Sequence, residues 1–95
     1  MIVRIVRMTF DPVKVPVFLE VFNASRERIR GFEGCRHLEL LNDVGHRNVF
    51  CTYSLWESEE HLNRYRFSQL FKDTWAQTKP LFIEKPVAFS MEKVG

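Results

Sequence analysis

The chain has 95 residues, 45% of them hydrophobic and 27% charged, with a net charge of +2. A chain this short buries a smaller share of its surface than a longer one, so the expected form is a single domain over residues 1–95 that gains cover from a partner subunit. The basic residues are dispersed rather than gathered into a stripe, which excludes nucleic acid as an expected partner, and Cys35 and Cys51 are too few and too far apart for a metal cluster.

Residues 1–10, MIVRIVRMTF, put Ile2, Val6, Met8 and Phe10 on one side of an extended chain and Val3, Ile5 and Thr9 on the other, a strand apolar on both faces. Arg4 and Arg7 break the apolar run, so neither a signal peptide nor a membrane helix is expected, and the protein reads as soluble and cytoplasmic. Asp11-Pro12 marks a turn, and Pro16 suits the first turn of a helix, where a missing N–H costs nothing. Val15, Phe18, Leu19, Phe22 and Ile29 then recur at helical spacing up to the Gly31-Phe32-Glu33-Gly34 break.

Residues 35–42 and 47–56 are two strand-like runs around Asn42-Asp43-Val44-Gly45-His46, a loop of hairpin length. Pairing centred on this loop puts Leu38 and Leu40 on one face with Val49, Cys51, Tyr53 and Leu55. The other face then gathers His37, Glu39, Phe50, Thr52, Ser54 and Trp56, and a slip of one residue would invert the assignment. Ser58 is placed to cap a helix with Glu59 and Glu60 in its first turn, and Ser68 to cap a second, so two short helices with a bend near Phe67-Ser68 are expected. Pro80 and Pro86 bracket the exit into a last strand, where Val87, Phe89 and Met91 alternate with Ala88, Ser90 and Glu92.

The order β-α-β-β-α-α-β is the α+β, ferredoxin-like plan, an antiparallel sheet with helices on one face. Such a sheet leaves its other apolar face uncovered, and a second copy of the chain is the simplest cover. GFEGCRHLELLND, then NVFCTYSLWESEEHLNRYRFSQLF, then a closing P-x-A-x-S strand resemble the antibiotic biosynthesis monooxygenase superfamily of dimeric α+β barrels over about residues 1–94. The resemblance implies a homodimer with sheets packed face to face and a small pocket in each subunit between helices and sheet. Its members include monooxygenases of phenols or quinols that use no cofactor, haem degraders, and an isomerase of a phosphorylated signalling molecule.

Several residues depart from the family's patterns. Many members carry histidines at the positions of Tyr65 and Leu70, as H-x-x-S/T-x-H-F, and YRFSQLF has neither. Haem degraders carry Trp at the Tyr65 position, His at the Trp75 position and Asn in the first strand, none of which is present. RNA-recognition modules share the strand order, but RNVFCTYS lacks their glycine and aromatic spacing.

The candidate site residues are therefore few. His37 and Glu39, two apart on a strand, share a face and form either an acid/base unit or an interfacial hydrogen-bond pair. Tyr65 and Trp75, across the bend, are core filler or one wall of a pocket for a flat aromatic ligand. Arg7 either binds an anionic substrate or pairs with Glu39 or Glu92, while His46, His61, Arg64 and Arg66 read as solvated. Three functions stay open: a cofactor-free monooxygenase of a planar phenolic or quinol-like substrate, a non-catalytic ligand-binding or stress-associated dimer, and an isomerase or lyase of a small anionic substrate. None calls for a metal.

Overall fold

The structure, a computed structural model, describes residues 1–95. The elements are β1 (Ile2–Thr9), α1 (Val15–Arg30), β2 (Cys35–Asn42), β3 (Val49–Trp56), α2 (Glu59–Arg66), α3 (Gln69–Thr78) and β4 (Val87–Glu92). Short 3-10 turns at Pro12–Lys14 and Lys79–Leu81 precede α1 and follow α3. The strands form one antiparallel sheet in the order β2-β3-β1-β4, the ferredoxin-like plan read from the sequence. No helix is long and apolar enough to cross a membrane.

Local chemistry sets the element ends. Asp11 accepts from the Val13 amide at 3.1 Å to start the turn into α1, and Pro16 lies in that helix's first turn. Ser58 and Ser68 cap α2 and α3, their hydroxyls accepting from the amides of His61 at 3.2 Å and Phe71 at 3.1 Å. The two helices thus meet at a bend over Phe67 and Ser68. Gly34, at φ 89°, leads into β2 in a conformation that side chains disfavour, and a Cβ there would lie 2.4 Å from the His61 side chain. His61 is consequently packed over Gly34 and bonded to Ser58 Oγ at 2.7 Å rather than solvated.

The core lies between α1 and the sheet. Phe10, fully buried, stacks on Phe18 at 4.0 Å between ring centroids and meets Phe50 and Phe82 at 6.0 and 5.2 Å. Met8, Phe22, Ile29, Leu38 and Leu81 complete it.

The β2–β3 register differs from the one centred on the hairpin loop. Leu38 faces Ser54, Leu40 faces Thr52 and Asn42 faces Phe50, so Leu38 and Leu40 share the helix-covered face with Phe50, Thr52, Ser54 and Trp56. His37, Glu39 and Leu41 share the opposite face with Leu55, Tyr53 and Cys51. The physical reason is the even period of a strand, since a slip of one residue turns every side chain over, and the core selects the register that buries Leu38, Phe50 and Trp56 together. An irregularity between Cys35 and His37 brings Cys35 opposite Trp56 while His37 falls opposite Leu55.

The helix-free face carries Val3, Ile5, Leu55, Val87, Phe89 and Met91 by the same parity. On it Leu41 is 46% exposed, and the three β4 residues are between 42% and 52% exposed. The face left apolar and uncovered is the one the strand pattern implies.

Candidate functional site

A cavity of about 370 Å³ lies between the helices and the sheet, toward the Trp56 end of the core. Its floor is the helix-covered face: Arg4, Val6 and Met8 of β1, Thr52, Ser54 and Trp56 of β3, and Ala88 of β4. Its roof and walls come from α1, α2 and α3. All β4 residues are exposed, and Ala88 with the neighbouring Pro86 lines the cavity there, so that side forms the opening.

The walls are aromatic. Trp56, almost fully buried, donates through Nε1 to Ser54 Oγ at 3.0 Å and stacks on Tyr65 with centroids 4.9 Å apart and planes 22° from parallel. Tyr65 meets Phe32 at 5.5 Å and Phe71 at 5.3 Å in T-shaped contacts, and Phe71 stacks on Trp75 at 5.8 Å. Three chain segments thus supply one continuous ring system, from β3 through the end of α2 to α3. The bend at Phe67-Ser68 makes this possible, because it turns Phe71 and Trp75 back toward Tyr65. Burial pushes the Tyr65 phenol well above its ordinary pKa, with the nearby Cys35 thiol adding to the shift, so the ring stays neutral across the physiological range. Cys35 is itself raised by burial, against a backbone hydrogen bond from His37 and the charge of Arg30.

Tyr65 and Trp75 therefore line one cavity, together with Arg4, Arg66, Thr52 and Thr74. Arg4 and Arg66 are the charged lining residues, and sequence reasoning missed both. Arg4 was legible in part, since it shares parity with Val6 and Met8, whereas Arg66, exposed at the end of α2, reads as one more charge on a polar helix until the fold brings it to the cavity's edge.

The other candidates lie elsewhere. His37 Nε2 sits 3.1 Å from Glu39 Oε2, with its ring edge-on to Tyr53 at 6.1 Å, on the helix-free face and outside the cavity. Arg7 is exposed on that same face and forms an ion pair with neither Glu39 nor Glu92. His46 stands in the hairpin loop beside Asp43, whose carboxyl is held below its usual range first by the Gly45 amide and then by the amide and ring of His46. No group of His, Cys, Asp and Glu has the arrangement of a metal site.

The family model described as antibiotic biosynthesis monooxygenase matches residues 1–77. The chain belongs to the antibiotic biosynthesis monooxygenase family. Solved structures agree on the fold. A crystal structure of an antibiotic biosynthesis monooxygenase is 16% identical, with both chains covered in full and a TM-score of 0.93. A conserved protein from Methanosarcina mazei Go1 is 18% identical over 99% of this chain and 94% of its own, with a TM-score of 0.92. Rv0793 from Mycobacterium tuberculosis is 17% identical over 99% of this chain and 95% of its own, with a TM-score of 0.91. At these identities the likeness is one of fold. Among curated proteins, none matches the chain.

Proposed function

We propose that this member of the family is a cofactor-independent monooxygenase whose cavity holds a planar phenol or quinol while molecular oxygen reacts with it. The observation that carries the reading is the cavity of about 370 Å³ walled by Tyr65, Trp56, Phe71 and Trp75, a volume at the low end for small-molecule sites. Conversion of a phenol to a quinone places one oxygen atom on the ring and releases the other as water, with the substrate supplying the electrons. The protein's part is to exclude water, to hold the ring flat between aromatic walls, and to stabilise negative charge on the ring oxygen. Tyr65, kept neutral by burial, is a hydrogen-bond donor to that oxygen rather than a base.

The lining carries no carboxylate and no imidazole. His37 and Glu39 lie outside the cavity and take no acid/base part there; the pair belongs instead to a homodimer interface formed by the helix-free faces. There Leu41, Val87, Phe89 and Met91 gain cover, and the hydrogen-bonded pair fixes the register of the two copies. The lack of a base in the cavity also supports a second reading, a dimer that binds the same ligands without turning them over.

Oxygen uptake with a panel of phenols and quinols, corrected for autoxidation, separates the two. Uptake that depends on the protein and drops at least about 10-fold in kcat/KM for both Tyr65→Ala and Trp75→Ala supports the monooxygenase. Binding of the panel with no protein-dependent uptake leaves the binding dimer.

A further inference from the structure

Two arginines face the same apolar cavity, and neither is neutralised by a carboxylate. Arg4 reaches it from the helix-covered face of β1, its Nη1 donating to Ser90 Oγ on β4 at 3.1 Å, and Arg66 reaches it from the last position of α2. The arginines that form ion pairs are Arg30, Arg36 and Arg64, each on other surfaces. Burial, and after it the charge of Arg66, hold the Arg4 guanidinium below its ordinary range. Two like charges bordering one cavity, Arg4 half-buried and Arg66 exposed at its edge, raise the free energy of the empty site, and an anion between them would relieve the repulsion.

A guanidinium is a planar fork suited to a carboxylate, and two forks can each take one of its oxygens. We propose that the ligand of this cavity is a planar aromatic carboxylate, its ring against Tyr65 and Trp75 and its carboxylate between Arg4 and Arg66. This rests on the cavity's being the ligand site and adds to it the head group that selects the ligand. The hydroxyls of Thr52 and Thr74, also in the lining, are placed to receive the ring's polar substituents. A phenolic acid fits this description, with the ring hydroxyl as the reacting group and the carboxylate as the anchor.

The test is calorimetric titration of the full chain with 1-hydroxy-2-naphthoate, its uncharged primary amide, and 1-naphthyl phosphate. The acid is expected to bind at least about 10-fold tighter than the amide, the size of one or more charge-assisted hydrogen bonds, and added salt should weaken the acid alone. In Arg4→Gln and in Arg66→Gln the preference for the acid over the amide should shrink, to about 3-fold or less, while an unchanged urea unfolding midpoint reports that each variant is folded. Equal affinity for acid and amide in the unmodified protein would overturn the inference and leave the cavity as a ligand site. Tighter binding of the phosphate than of the acid would overturn the head group, and binding of none of the three would remove both the inference and the cavity reading.

Discussion

On the helix-covered face of the sheet Met8, Leu38, Phe50 and Trp56 are packed beneath helices, whereas on the opposite face Leu41, Val87, Phe89 and Met91 stand open to solvent. Both faces come from the same strands by the same alternation. The difference lies in the polar residues set into each. The covered face carries Arg4, Thr52 and Ser54, which border a cavity walled by rings. The open face carries Arg7, His37, Glu39 and Tyr53, which lie among exposed apolar groups with no cavity around them. Polar groups under a helical roof suit recognition of a small ligand, and polar groups on an open apolar sheet suit specification of a partner surface.

The sharpest way to break the covered face is Trp56→Ala. It removes a ring that is 1% exposed, the stack under Tyr65 and the bond to Ser54, so urea unfolding should show a loss of about 3–5 kcal/mol. The open face is broken differently. Phe89→Glu leaves the subunit's own core untouched, yet places an unpaired charge in the proposed interface. Sedimentation should show dimerisation weakened by about 100-fold or more, while a chain whose association is unchanged would dismiss the sheet-face dimer.

Smaller effects sharpen the same contrast. Gly34→Ala forces a side chain into a left-handed conformation and against His61, at the point where the chain enters β2. A loss of about 1–3 kcal/mol in urea unfolding is expected. For Tyr65 the sign follows from its raised pKa. The unfolded chain releases the phenolic proton from its ordinary value of 10.0 upward while the folded chain retains it. Stability due to the neutral buried phenol is therefore present below pH 10.0 and is lost as pH rises toward and through the folded pKa. The urea midpoint should fall more steeply above that pH in the unmodified protein than in Tyr65→Phe. The smallest change is expected for His37→Ala, which lies across the sheet from the cavity. Ligand affinity should move by less than about 2-fold, and a larger loss would bring the His37-Glu39 pair back into the site.

Much of the fold was legible because its signals are local. Ser58 and Ser68 cap the helices that their positions suggest, Pro16 opens α1, and Gly31 ends it. The candidate site was legible only in part. Tyr65 and Trp75 were singled out because two rings either side of a capped bend invite a common wall, and both line the cavity. Arg66 was not, because its neighbours Arg64 and Glu60 form an exposed pair at 2.6 Å and the helix reads as polar all round.

The sequence by itself determined the order of the elements, the helix ends and the presence of two apolar sheet faces, since period, capping and turn chemistry act over a few residues. Only the tertiary structure decided which face each β2 side chain joins. A strand's parity holds no absolute reference, and the choice depends on an irregularity near Cys35 and on burying Leu38, Phe50 and Trp56 in one core. That choice put His37 and Glu39 outside the cavity and left Arg4 and Arg66 as the charged groups that border it, because contacts between distant segments, rather than neighbours in the chain, fix where a side chain's free energy is lowest.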